Sequence, residues 1–235
     1  MILRIADLIT KMQTTGNMNL RCKEYLCTVC DEISIEIRNN LYDISRWPTL
    51  SYDQACYMES GEQFYTQLLH HNGLMLHASA VALDNRAYLF SGQCGMGKST
   101  HTRLWQQTFG EGAKVFNDDK PALRRLEDGW FAYGTPWCGK DGINLNMKVP
   151  LAGICFLKRG EENRIRRLNP QEAISMVLSQ TLNKFHYEAT LDLLLSHVNH
   201  LVTEIPIYEL YNKPEPDAAR LSYETMRRGA EEIGL

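Results

Sequence analysis

The chain has 235 residues, 44% hydrophobic and 23% charged, the size and balance of one large globular domain or a domain with an appendage. A formal net charge of −3 removes the general electrostatic reason to expect a nucleic-acid partner. No apolar stretch reaches bilayer-spanning length, and the opening MILRIADLITKMQ lacks the apolar core of a secretory signal. Seven cysteines, an odd number, read as reduced thiols of a cytoplasmic protein rather than a disulfide framework.

In chain order, Ile2, Ile5, Leu8 and Ile9 stand at roughly helical spacing, although Ile2-Leu3 could equally begin a strand. Gly16-Asn17 reads as a turn. From Leu20 to Ile37 the pattern turns strand-like, with Ile33, Ile35 and Ile37 alternating with Ser34 and Glu36. Cys22, Cys27 and Cys30 echo one iron–sulfur ligand run, but a fourth thiolate is missing and no cluster is expected. Trp47 to Tyr52 reads as a loop and residues 53–71 as a helix with Phe64, Leu68 and His71 on one side. The neighbours His70 and His71 would point apart on that helix and make no metal site.

Residues 73–90 read as two apolar strands around Asp84-Asn85-Arg86, with His77 inside the first. The second strand delivers the chain to Gly92-Gln93-Cys94-Gly95-Met96-Gly97-Lys98-Ser99, which matches G-x-x-x-x-G-K-[ST] at every fixed position. Glycines let such a loop turn its backbone N–H groups inward on phosphate oxygens, and the helix that follows presents its positive dipole end to the same anion. The loop through Thr100 therefore reads as an ATP phosphate site, with Lys98 on the β- and γ-phosphates and the Ser99 hydroxyl on Mg²⁺. Cys94 stands among these amides near a helix N-terminus and Lys98, where a thiol becomes more acidic.

The expected helix runs from Ser99 to Phe109 and ends at Gly110 and Gly112. Lys114-Val115-Phe116 starts a strand that ends in Asn117-Asp118-Asp119. One carboxylate of this pair can hold the magnesium shell while the other takes the proton of an attacking hydroxyl. A hairpin over 121–135 precedes the glycine-rich loop Gly134–Gly142, then an apolar strand from Leu151 to Leu157 and a charged, solvated turn from Lys158 to Arg164. Asn169 caps a helix that has Pro170 in its first turn. A second helix over 188–200 carries Leu191, Leu194, Leu195 and Val198 on its apolar face, with His197 and His200 as a surface pair. A strand at 205–210 and a helix at 214–229 close the chain.

His77, GQCGMGKS, the Asp pair and the loop after it, in this order, resemble the HPr kinase/phosphorylase catalytic domain and, more distantly, ATP-dependent phosphoenolpyruvate carboxykinase. The closest likeness is to small HPr-kinase-like proteins of ribosomal peptide biosynthesis, some of them peptide serine kinases. The resemblance covers about residues 70–160. It implies an α/β P-loop kinase of the HPr kinase C-terminal domain/PEP carboxykinase type, with a mixed β-sheet flanked by helices. On this reading residues 1–70 form a β/α appendage and 71–235 the ATP-binding domain. It further implies Asp119 as the base, His77 as its support and Asp118 with Ser99 on magnesium. The implied partner is a peptide or protein bearing a Ser or Thr hydroxyl, with no membrane involved and a homo-oligomer compatible. This chain has no counterpart of the family's Glu-Ile-Arg-Gly segment, whose place the Gly134–Gly142 loop roughly takes, and it carries Cys94 where Ser is common. A small-molecule kinase and an inactive nucleotide-sensing or peptide-binding module are the alternatives.

Overall fold

The computed structural model describes residues 1–28, 32–181 and 188–235. In order they form β1 (Ile2–Ile5), β2 (Leu8–Lys11), α1 (Gly16–Arg21), β3 (Ile35–Glu36), α2 (Tyr52–Leu68), β4 (Gly73–Met75), β5 (Ala78–Leu83), β6 (Arg86–Ser91) and α3 (Lys98–Phe109). Then come β7 (Lys114–Asp119), β8 (Ala122–Leu126), β9 (Gly129–Tyr133), β10 (Lys148–Arg159), β11 (Arg164–Arg167), α4 (Pro170–Ser179), α5 (Glu188–Glu204), β12 (Ile207–Asn212) and α6 (Pro216–Glu231). The strands make a small sheet, β1-β2-β3, and a large mixed sheet ordered β4-β8-β9-β10-β6-β5-β7, with β12 on β10 and β11 on β12. In the large sheet β10 runs parallel to β6 and β12, while β5 runs antiparallel to both β6 and β7.

Strand alternation explains why helices cover both faces of this sheet. Leu89, Ala80, Ile154 and Phe156 point to one side, where they pack with Val177 of α4 and Leu194, Val198 and Leu201 of α5. Tyr88, Phe90, Val81 and Cys155 point to the other, against Trp105 of α3 and Met226 and Ala230 of α6. Fully burying one such large apolar side chain contributes roughly 1.5–3 kcal/mol. A third cluster joins the small sheet and α2 to Phe131, Tyr133 and Trp137. Two tight hairpins close on consecutive residues with positive φ, Ala6-Asp7 and Asp84-Asn85, as right-handed strand twist favours. Ser51 and Asn169 each cap a helix through a reciprocal box with Gln54 and Glu172.

Several expectations are corrected. The strand expected over 20–37 shrinks to Ile35–Glu36, because Met18, Cys22 and Tyr25 are buried at helical spacing and draw Gly16 to Tyr25 into α1 and a following 3₁₀ turn. Gly16-Asn17 therefore begins a helix. His197 is buried, with its Nε2 2.7 Å from the Leu69 carbonyl, so it is no surface residue. Leu191 and Leu195 are exposed, and the buried stripe of α5 is Leu194, Val198, Leu201 and Val202. Cys30 lies outside the described residues, while burial pushes the Cys22 thiol up to about 12, which unsuits it as a thiolate ligand. Among the described residues no group of three or more His, Cys, Asp or Glu is placed to hold a metal, and no helix is long and apolar enough to cross a membrane.

Candidate active site

The G-x-x-x-x-G-K-S segment leaves β6 as an exposed loop and enters α3 at Lys98. Gly92, Gly95 and Gly97 have φ of 139°, 79° and 89°, a region that side chains avoid. The loop's shape is thus a consequence of its glycines. Gly97 is the N-cap of α3 and has no side chain to bond the first turn, so the N–H groups there face outward from the helix end. A Cβ on Gly95 would meet nothing within 4 Å, so the space above the loop is open. Lys98 Nζ donates to the Gly92 carbonyl at 2.9 Å and the Gln93 carbonyl at 3.4 Å, lying back over its own loop. Burial lowers its pKa, opposed by the charges of Asp119, Cys94 and Asp118. Arg159, read from sequence as part of a solvated turn, instead donates from Nη2 to the Gly95 carbonyl at 3.3 Å. Lys158, from the same stretch, pairs at 2.5 Å with the buried Glu209. The charge run is partly structural and partly a second cation on the loop.

Antiparallel pairing of β7 with β5 sets Asp119 opposite Ala78 and Asp118 opposite Ser79. The strand expected through residues 73–83 breaks at Leu76-His77, where the chain leaves β8's side and joins β6 and β7. That break places His77 at the end of β5 instead of in its middle, with its N–H bonded to the Gln180 carbonyl at 2.7 Å. Its Nε2 then lies 3.1 Å from Asp119 Oδ1. An ionised carboxylate only accepts, so Nε2 carries the proton of this bond. Ser99 Oγ donates to Asp118 Oδ1 at 3.1 Å, bringing together a hydroxyl and a carboxylate from α3 and β7. These are hard oxygen donors of the type that suits Mg²⁺.

Three residues that sequence reading passed over complete the site. Lys120 Nζ donates to Asp119 Oδ2 at 2.8 Å and to the Tyr57 hydroxyl at 3.1 Å, and sits over the Tyr57 ring. The Tyr57 hydroxyl in turn donates to the Cys138 carbonyl at 3.1 Å. Arg21 donates to the Cys138 and Gly139 carbonyls at 2.9 and 3.2 Å. Burial alone would raise the Asp119 pKa, but the His77 hydrogen bond and the Lys120 charge outweigh it and hold the carboxyl well below the usual carboxylate range. Lys120 followed the Asp pair in plain view, but nothing in the sequence points to Tyr57 or Arg21, which arrive from elements far upstream.

The Gly134–Gly142 loop is the brace behind the acidic pair. Trp137 is fully buried, stacked on Phe64 at 4.7 Å, and donates to Ser60 Oγ. A Cβ at Gly61 would stand 3.0 Å from the Trp137 ring, so α2 carries glycine where the loop docks. Gly139 N–H bonds the Asp118 carbonyl, and Cys138 pairs as an isolated bridge with Asp119. Asp119 itself is held at φ of 128°, a strained conformation for a non-glycine residue that persists where its surroundings over-determine it.

No family model matches this sequence, and no curated protein does. Among solved structures, one match is the Hpr(Ser) kinase/phosphatase from Coxiella burnetii, at 12% identity and a TM-score of 0.36, covering 67% of this chain and 95% of that one. What the site does is therefore read from its own residues.

Proposed function

We propose that this protein is an ATP- and Mg²⁺-dependent kinase of the HPr kinase C-terminal domain/PEP carboxykinase type. Its phosphate acceptor is a Ser or Thr hydroxyl of a peptide or protein. One observation carries the reading: the glycine-rich G-x-x-x-x-G-K-S loop, a hydroxyl–carboxylate pair and a second, histidine-bonded carboxylate converge at the ends of β5, β6 and β7. Phosphoryl transfer asks a protein for placement and charge, and each of these supplies one part.

The loop amides and the α3 N-terminus hold the phosphate oxygens, and Lys98 swings from its own carbonyls to the β- and γ-phosphates. Ser99 and Asp118 hold the metal. When bound there, Mg²⁺ would neutralise phosphate charge. Asp119 orients the acceptor hydroxyl and takes its proton, His77 fixes the carboxylate's rotation, and Lys120 keeps it ionised. Residues 1–70 act as an appendage that lends Arg21 and Tyr57 to a catalytic domain of residues 71–235. The working compartment in this reading is the cytoplasm.

Calorimetric titration with Mg·ATP, followed by incubation with γ-labelled ATP and hydroxyl-bearing peptides, tests the proposal. Binding with transfer of label to a peptide supports it. No saturable Mg·ATP binding refutes it.

A further inference from the structure

Two clefts open along α2 and meet at the candidate base. The first, about 370 Å³, follows the N-terminal half of the helix and is lined by Arg21, Asp53, Gln54 and Lys140. The second, about 460 Å³, follows the C-terminal half and is lined by Trp47, Tyr65, Met75 and Ser179. Tyr57, Met58, Asp119 and Lys120 line both. The helix positions involved run from Asp53 to Tyr65, roughly 18 Å at 1.5 Å per residue. An extended peptide covers that distance with about five residues.

We infer that the acceptor is an extended peptide segment of about five residues lying along α2, with its reacting hydroxyl at the centre over Asp119. This deepens the kinase reading above and rests on it. A compact hydroxyl compound would leave one arm of the trough unfilled, whereas a chain passing through the midpoint fills both. The arms differ in chemistry. In the second, Glu62 is held by both oxygens to Arg46 at 2.9 and 3.1 Å, so its charge is already matched, and the wall beyond the junction is aromatic and thioether on one side and the uncharged Ser179, Gln180 and Thr181 on the other. That arm takes an apolar side chain. In the first, the lining carries two cations, Arg21 and Lys140, against the single carboxylate of Asp53, once the Asp119–Lys120 pair at the junction is set aside. That arm takes a polar side chain and prefers an acidic one.

The test is a set of five-residue peptides centred on serine, with leucine or phenylalanine on one side and aspartate or lysine on the other, in both chain directions, assayed with N-acetylserine amide as the compact acceptor. In one chain direction the apolar–aspartate arrangement should exceed its lysine counterpart, and the best pentapeptide should exceed N-acetylserine amide by at least about tenfold in kcat/KM. Ser179→Trp and Lys140→Trp, at exposed positions that each line one arm of the trough, should each lower kcat/KM for that pentapeptide by about tenfold. Mg·ATP affinity, measured on each variant, reports that the nucleotide loop is folded. Equal use of N-acetylserine amide and the pentapeptides, or indifference to both tryptophans, overturns the inference while leaving the kinase standing. Bound Mg·ATP with no transfer to any peptide overturns it as well. Loss of Mg·ATP binding by the unaltered protein is the separate failure of the kinase reading itself.

Discussion

His77 Nε2 lies 3.1 Å from Asp119 Oδ1, and this bond exists because the apolar run from Gly73 to Leu83 breaks at Leu76-His77, just before β5 begins. On the opposite oxygen sits Lys120, at 2.8 Å. The carboxylate is gripped from both sides, so its direction is set before an acceptor arrives. His77→Ala should release one side. The expected result is a fall in kcat of about tenfold to a hundredfold with Mg·ATP affinity retained, measured by steady-state kinetics and calorimetry.

The Ser99–Asp118 hydrogen bond of 3.1 Å joins the pair proposed to hold magnesium. Asp118→Asn keeps the size and one oxygen but removes the charge. The magnesium concentration at half-maximal rate should rise about tenfold or more, because a carboxylate contributes most of the affinity of such a hard-cation site. Unchanged magnesium dependence would remove Asp118 from the metal.

Lys98→Ala should abolish transfer. Arg159, the other cation on the loop, bonds the Gly95 carbonyl from the end of β10. Arg159→Ala should therefore weaken Mg·ATP binding by a few fold only, consistent with the roughly 0–1 kcal/mol of an exposed charge. Titrating both variants with Mg·ATP distinguishes the two roles.

Cys94 is exposed within the glycine-rich loop that precedes α3. Any adduct on its sulfur occupies the space above the loop amides. Stoichiometric alkylation of Cys94 should eliminate Mg·ATP binding, and prior saturation with Mg·ATP should protect the thiol. Full labelling with unaltered nucleotide affinity would show that the loop does not cradle phosphate.

His101 is fully buried on α3, its two ring nitrogens 3.2 Å from Asn212 Oδ1 and 3.0 Å from Ser222 Oγ. Burial drives its pKa down, from 6.5 to about 4. The unfolded chain then binds the proton first, so stability is present above pH 6.5 and is lost as the pH falls towards 4. The loss is about 3 kcal/mol across that window. Chemical denaturation between those limits should show it, and His101→Gln should flatten the profile even though it lowers stability at neutral pH.

Local signals were legible. Glycine spacing marked the tight loop between β6 and α3, Asn169-Pro170 the start of α4, and turn residues the hairpin between β8 and β9. The Asp pair could be placed at a strand end because Val115 and Phe116 are strand formers and the loop upstream already implied a sheet. What escaped the sequence was long-range. The helix at Gly16–Arg21 was masked by alternating isoleucines downstream, yet Met18, Cys22 and Tyr25 face the cluster beneath α2. Tyr57 reaches Lys120 only because α2 docks on Trp137, and no local pattern around residue 57 encodes that. Sequence periodicity reports which side of an element is buried, and nothing about which distant element buries it.

The proposed reaction transfers a phosphoryl group from ATP to a hydroxyl held at Asp119. The most direct measurement follows γ-labelled ATP through a single turnover with a serine peptide, with the phosphoester located by fragmentation mass spectrometry. Wild-type protein should place the label on the serine oxygen, and Asp119→Asn should bind Mg·ATP with similar affinity yet form the phosphoester slower by about a hundredfold or more. Equal rates for the two proteins, or label released only as inorganic phosphate by both, would contradict the assignment.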